Sequence, residues 1–286
     1  MYAITAANGQ LGRLVIEFLL ERIPAAQIVA VARSPQKAAD LAALGVAVRE
    51  GDYDRPDTMK SALDGATKVL LISSSEVGRR LPQHRAAIDA AKAVGAELLA
   101  YTSILHADTS PAKLAQEHRA TELALIESGL PYVLLRNGWY NENFLMALPA
   151  VLAHGTLIGS AGNGRFSAAS RRDFAEAAAA VLTAEGQAGK IYELAGDEAF
   201  TMSEIATEVS RQSGKPVAFQ NLPEQAFKQA LVSAGLPETL ADVLADEDAI
   251  AAADTLFNDS RELSRLIGRP TTRFADTLAT ALAAKG

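Results

Sequence analysis

The sequence predicts an α/β fold: a doubly wound parallel sheet, followed by a smaller, mainly helical C-terminal lobe. Three observations predict it. Short β-rich runs alternate with segments of helical length and period through the first 135 residues, the pattern of a parallel sheet covered by helices on both faces. A glycine-containing turn joins the first run directly to the first amphipathic segment. Beyond residue 136 helical segments dominate, with no internal repeat, low-complexity tract or flexible linker.

The strand-like runs are Tyr2 to Ala6, Gln27 to Ala32, Val46 to Arg49, Lys68 to Ile72, Glu97 to Thr102 and Tyr132 to Leu135. Between them lie helical segments at Leu11 to Glu21, Pro35 to Ala43, Asp57 to Leu63, Pro82 to Val94 and Pro111 to Ser128. Ser34-Pro35 puts a cap residue before a proline at a first helical position. Gly45, Gly95 and Gly129 fall just past helices, where a left-handed residue is wanted. The second lobe offers helices at Asn141 to Leu152, Arg172 to Ala184, Met202 to Ser213, Pro223 to Ser233 and Pro237 to Ala252, with a last one from Arg273. Short strands are expected at Thr156 to Ile158, Lys190 to Leu194 and Val217 to Gln220. The expected division is 1–135 and 136–286, with segments near 172–195 rejoining the first domain.

Composition excludes several classes. A formal charge of −7, with basic residues scattered, argues against a nucleic-acid partner. The chain has no cysteine, so disulfides, thiolate catalysis and thiolate metal sites are excluded. The N-terminus enters a strand-like run with no basic leader, and no apolar run reaches the roughly 18 residues that span a bilayer. A soluble, cytoplasmic protein without membrane partners is expected.

The turn Thr5-Ala6-Ala7-Asn8-Gly9-Gln10-Leu11-Gly12 carries the chemistry. In a Rossmann sheet this position sets free backbone N–H groups and the positive helix end against a pyrophosphate. Gly9 lets the backbone approach the phosphates, and Gly12 lets the helix pack closely. Ala6 stands where the usual pattern has its first glycine, a cost if the turn needs a positive φ. The cofactor-binding set is expected to begin with Ala6, Ala7, Asn8, Gly9, Gln10 and Leu11. At the end of the second strand the chain has Arg33, where NAD enzymes place a carboxylate. A guanidinium pairs with a 2′-phosphate that a carboxylate repels, so the expected cofactor is NADP(H). Asp52, after the third strand, is placed at the adenine edge, with a turn-forming aspartate as the competing reading. Ser73, Ser74 and Ser75, after the fourth strand, offer hydroxyls and N–H groups to the nicotinamide ribose, although such turns also occur without a ligand.

With the loop and Arg33 in view, further strings carry a resemblance: Leu71 to Gly78, Ala100 to Ser103, Leu105 to Ser110, Leu135-Arg136-Asn137-Gly138-Trp139-Tyr140, Tyr192 to Gly196 and Leu266 to Thr272. The chain resembles the NmrA-like atypical short-chain dehydrogenase/reductases, and within them the bacterial flavin-free NAD(P)H:quinone oxidoreductases. The resemblance implies NADPH binding by Ala6 to Leu11, Arg33 and the serines. It also implies that Asn137 to Asn143, including Gly138, Trp139 and Tyr140, line the nicotinamide and quinone end of a cleft, with Arg171 contributing from the substrate lobe. Ala6 and Asn8 depart from the family's usual glycine and threonine.

The Tyr-x-x-x-Lys pair of short-chain dehydrogenases, which donates a proton to a ketone, is absent: Tyr101 is followed four positions later by Leu105, and Tyr140 by Phe144. A quinone accepts hydride to give a weakly basic anion that solvent can protonate, so positioning can supply most of the catalysis. Tyr140, Asn143 and His118 are the candidates for polarising a quinone oxygen, with core packing or a surface hydrogen bond as the competing reading for each. His118, mid-helix, reads most simply as a surface residue, and Trp139 as a packing aromatic. His84, His106 and His154 show no ligand spacing, so no metal is expected. Asp242, Asp246, Glu247, Asp248 and Asp254 read as a solvated helix face. The expected function is two-electron hydride transfer from NADPH to small quinones without flavin. The alternatives are a non-catalytic NADP(H)-sensing protein and a reductase or isomerase of another small carbonyl compound. A small quinone is the expected partner, and a homo-oligomer is admitted.

Overall fold

A computed structural model describes residues 1–284. It divides into two compact units. The first comprises Met1–Ala107, Glu117–Asn137 and Arg172–Tyr192; the second comprises Asp108–Gln116, Gly138–Arg171 and the chain from Glu193 onward.

Along the first part run β1 Tyr2–Ile4, α1 Gln10–Leu20, β2 Ile28–Ala32, α2 Ala39–Ala43, β3 Ala47–Glu50, α3 Pro56–Ala62, β4 Lys68–Leu71, α4 Arg80–Ala93, β5 Leu98–Ile104, α5 Lys113–Ser128 and β6 Tyr132–Asn137. There follow α6 Asn141–Leu145, α7 Leu148–His154, β7 Thr156–Gly159, α8 Arg171–Thr183, β8 Lys190–Leu194, α9 Met202–Ser213, β9 Ala218–Asn221, α10 Glu224–Ser233, α11 Glu238–Ala251, α12 Glu262–Ile267 and α13 Phe274–Ala283.

Seven parallel strands form one sheet in the order β3-β2-β1-β4-β5-β6-β8, the doubly wound arrangement the alternating pattern predicts. β1 pairs with β2 on one side (Tyr2 opposite Ile28) and β4 on the other (Tyr2 opposite Lys68). The chain therefore winds outward through β2 and β3, then returns to begin β4 beside β1. That reversal creates a switch point at the carboxyl ends of β1 and β4, where open α/β sheets bind ligands. β2 reads Ile-Val-Ala-Val-Ala and is buried along its whole length, as expected of a strand covered on both faces. Val29, Val31, Met59, Leu63, Val69, Leu71 and Leu99 join the core beneath it. Gly45, Gly95 and Gly129 adopt φ of +84°, +72° and +73° just after α2, α4 and α5, which stops those helices as the sequence predicts. Pro35 opens a 3₁₀ turn, Pro35–Ala38, before the short α2 rather than one continuous helix.

In the second unit β7 and β9 pair in parallel. Its core is aromatic: Phe144 meets Phe166, Phe200 and Phe274 at ring-centroid distances of 5.3, 5.8 and 5.8 Å, with Trp139 packed alongside. Thr201 and Glu204 close a reciprocal capping box that fixes the start of α9.

Three expectations are corrected. The helix expected over Asn141 to Leu152 is two helices, α6 and α7, because Pro149 in the first turn of α7 has no N–H for the carbonyl four residues back. The short α12 was not foreseen. The acidic residues of α11 and Asp254 are not a solvated face. Asp242 pairs with Lys113 and Lys228 at 2.8 and 2.9 Å, and Asp246 accepts the Lys113 N–H at 2.8 Å. Glu247 is buried, Asp248 accepts the Ser160 N–H, and Asp254 pairs with Arg165 at 2.7 Å. Burial raises the Asp248 carboxyl above its ordinary value, since desolvation outweighs the hydrogen bonds from Ser160. No helix among the described residues is long and apolar enough to cross a membrane.

Gly196 approaches the backbone so closely that an added Cβ would stand 2.0 Å from the Ala168 carbonyl oxygen. Neither group belongs to a flexible side chain. Gly196→Ala should therefore lower unfolding free energy by about 2–3 kcal/mol, read from the urea midpoint. A change below about 0.5 kcal/mol would contradict this packing.

Candidate active site

The turn after β1 is built around a left-handed residue. Ala6 has φ +47°, a conformation that costs a non-glycine residue about 1 kcal/mol. The bend lets the Ala6 carbonyl accept the Gly9 N–H at 2.9 Å, and the Ala7 N–H donate to Val31 at 3.0 Å. Gly9 is the N-cap of α1 and supplies no side-chain oxygen, and the first turn carries no acidic residue. The N–H groups of Gln10, Leu11 and Gly12 thus stand where the helix provides no acceptor, with the dipole's positive end uncompensated. Gly9 and Gln10 are exposed. Gly12 is forced: a Cβ there would lie 2.7 Å from the Ala6 oxygen and 2.8 Å from the Ala7 Cα. Arg13, which sequence reasoning missed, holds the loop from behind, donating to the carbonyls of Asn8 at 3.1 Å and Lys37 at 2.7 Å. Its only sequence signal is a cation one residue beyond Gly12.

Arg33 follows β2 with its side chain 68% exposed. Its guanidinium stands 3.3 Å from Glu76, whose carboxylate also accepts from Arg79 and Gln83, each at 3.1 Å. Asp52 serves its own turn: its carboxylate accepts the Asp54 N–H at 3.1 Å, and its N–H donates to Thr58 at 2.9 Å.

Beyond β4, three successive amides donate to side chains instead of a neighbouring strand. Ile72 gives its N–H to Thr5 Oγ1 at 3.0 Å, Ser73 to Thr102 Oγ1 at 2.9 Å and Ser74 to His84 Nε2 at 2.9 Å. Tyr53 seals the first of these, donating to the Ile72 carbonyl at 2.7 Å with its oxygen 2.6 Å from Thr5 Oγ1. The N–H groups of Ser73 and Ser74 are therefore committed inward, whereas Ser75 is exposed. This corrects the expectation that the N–H groups of Ser73 and Ser74 face a ribose.

His118 is not at the surface. It is 2% exposed, and its Nδ1 lies 2.8 Å from the hydroxyl of the fully buried Tyr101. Burial, with Arg80 and His84 adding smaller repulsions, holds the His118 pKa well below the ordinary imidazole value. His84, also buried, is held down to about 3 by burial first and then by Arg80. Burial raises the Tyr101 phenol far above its ordinary value, so the hydroxyl stays protonated.

In the second unit, Tyr140, Asn143 and Arg171 come together. The Arg171 guanidinium lies 4.7 Å from the centre of the Tyr140 ring, within cation–π range, and 3.4 Å from Asn143 Oδ1. Glu142, overlooked in the sequence, accepts the Arg171 N–H with both oxygens at 3.0 Å and so caps α8. The signal was a carboxylate within a run already singled out. Gly138 donates to Leu194 at 2.7 Å, and a Cβ on it would come within 3.0 Å of the same oxygen. Trp139 packs on Phe144 at 6.4 Å between ring centres. Among the described residues, no group of three or more His, Cys, Asp or Glu is placed to hold a metal ion.

A family model described as NAD(P)H-binding matches residues 6–185, beginning at the left-handed alanine. The chain belongs to this NAD(P)H-binding family. Within the family's reach lies quinone oxidoreductase 2 of Escherichia coli K12, which is 56% identical over 97% of each chain. The crystal structure of the E. coli NADPH-dependent quinone oxidoreductase QOR2 complexed with NADPH matches with a TM-score of 0.96 and 55% identity, covering 99% of this chain and 100% of that one. The Citrobacter sp. triphenylmethane reductase complexed with NADP(H) matches with a TM-score of 0.94 and 37% identity, covering 98% and 100%.

The two buried histidines set a pH dependence of stability. Both are neutral in the folded state with depressed pKa values, whereas unfolded histidine titrates near 6.5. Below that value the unfolded chain binds more protons, so stability falls as pH drops. Denaturant titrations between pH 6.5 and 4.5 should show that loss, approaching about 1.4 kcal/mol per pH unit for each histidine. His84→Gln should remove one proton's share of the slope. A slope unchanged by that substitution would show that His84 is not held neutral.

Proposed function

We propose that this chain is an NADPH-dependent quinone oxidoreductase, carrying out two-electron reduction of small quinones in the cytoplasm. The likeness over nearly the whole chain to a quinone oxidoreductase structure that holds NADPH carries the reading. The exposed, uncapped start of α1 fits a pyrophosphate: Gly9 and Gly12 let the turn backbone pack close against the helix start, where a Cβ would meet the Ala6 carbonyl, and no acidic residue in the first turn opposes the charge.

Bound NADPH supplies the hydride. The chain's own residues bind, orient and stabilise. The loop from Ala6 to Leu11 holds the pyrophosphate, with the Gln10 and Leu11 N–H groups at the helix start as its donors. Arg33 takes the 2′-phosphate, exchanging Glu76 for a partner of higher charge. Asp52 borders the adenine end, and the Ser73 and Ser75 hydroxyls orient the ribose nearest the nicotinamide. Asn137 is assigned to the nicotinamide end in the first unit, and Gly138 and Trp139, with the substrate side, to the second. There the Arg171 cation, stacked on Tyr140 and bonded to Asn143, favours the negative charge that develops on a quinone oxygen. A hydroquinone anion is a weak base, so water can protonate it. That agrees with the absence of a lysine four residues after Tyr101 or Tyr140.

Purified protein mixed with NADPH and a simple benzoquinone should consume reduced-nicotinamide absorbance with saturation in both. Saturable NADPH binding without turnover on any quinone would favour an NADP(H) sensor instead. Arg33→Ala should weaken NADPH about 10- to 100-fold and leave NADH nearly unchanged, as loss of a charge-assisted pair requires. Equal losses for both would remove Arg33 from the 2′-phosphate. Gly12→Ala should weaken both cofactors together, because its Cβ displaces the shared loop backbone.

A further inference from the structure

We propose that His84 is a positioning residue: with Arg80 it clamps Ser74 by its backbone N–H and its carbonyl and holds the Ser73–Ser75 loop in its cofactor-binding shape. The inference rests on the reading of that loop as part of the NADPH site. Ser74 N–H donates to His84 Nε2 at 2.9 Å, and the Ser74 carbonyl accepts from Arg80 Nε at 2.6 Å. His84 and Arg80 are four residues apart on α4, so one face of that helix presents an acceptor to the Ser73–Ser74 peptide and a donor to the Ser74–Ser75 peptide. His84 is fully buried and Arg80 is 8% exposed.

A second helix fixes the imidazole. His84 Nδ1 lies 2.9 Å from Thr121 Oγ1, whose own proton goes to the Glu117 carbonyl at 3.1 Å. The proton order follows from what each group is able to give. The Ser74 amide only donates, so Nε2 must carry the lone pair and Nδ1 the proton. Thr121 accepts that proton because its hydroxyl hydrogen is already committed. An imidazolium would set two N–H donors against each other across 2.9 Å, so the clamp requires neutral His84. Glu117 completes the brace, accepting the Gly78 N–H at 2.6 Å and lying 3.7 Å from Arg80. The far end of the loop is thereby tied to the same two helices. A serine-rich turn with few bonds within its own backbone is made rigid from below, which reduces the ordering cost of binding.

Nitrogen-15 NMR of the imidazole at neutral pH reads the clamp directly: the account expects the proton on Nδ1 and a lone pair on Nε2. In the free protein, His84→Leu should accelerate hydrogen exchange at the Ser74 amide by about tenfold or more and weaken NADPH by about tenfold, the worth of one neutral hydrogen bond. His84→Gln, whose amide can accept from Ser74 and donate to Thr121, should recover most of both. Should His84→Leu fail to fold, Thr121→Val removes the tautomer lock with little change of shape and should raise Ser74 exchange and the NADPH Kd together. A proton on Nε2, or Ser74 exchange unchanged in a folded variant, would overturn the clamp. Faster exchange with unaltered NADPH affinity would overturn its role toward the cofactor. Wild-type protein that fails to bind NADPH would instead sink the functional reading, and the exchange data would stand apart from it.

Discussion

The approach of α1 to the turn before it is the contact on which the first unit depends. At Gly12 the helix meets the backbone of Ala6 and Ala7 at a separation that leaves no room for a Cβ. That closeness brings the helix start to the carboxyl end of β1, beside β4, at the switch point of the sheet. The bend that makes it feasible is carried by Ala6 in a left-handed conformation. A small strain is thus held in place by strand pairing on one side and close helix packing on the other, which is how functional turns retain unfavourable dihedrals.

A second theme is the use of side chains as backbone partners. Thr5, Thr102 and His84 take the amides that follow β4, and Arg13 takes the carbonyl of Asn8. Each replaces a strand or helix bond where regular structure ends, so the loops at this edge of the sheet keep their shape without extending it. The second unit repeats the tactic independently, with Glu142 capping α8 so that Arg171 begins a helix and also reaches Tyr140 and Asn143.

Much of the fold was legible because it rests on periodicity. β2, buried end to end, and the helices closed by Gly45, Gly95 and Gly129 follow from local patterns the chain carries openly. The glycine turn after β1 was legible as a residue pattern, and Tyr140, Asn143 and Arg171, named separately in the sequence, are brought together by the fold. What escaped depends on long-range partners. His118 looked like a surface residue because its helix is polar there, and only the fold reveals Tyr101 against it. The acidic residues of α11 looked solvated because Lys113, which pairs with Asp242, lies 129 positions away in sequence. Pro149, by contrast, was a local signal whose effect on the Asn141 to Leu152 segment was underweighted.

The most direct test of the central claim is amide NMR of the protein titrated with NADPH. Gln10, Leu11 and Gly12 should show the largest saturable shifts, as the N–H groups left without partners at the start of α1 acquire phosphate acceptors. Saturation that leaves these three amides unmoved while others shift would contradict it.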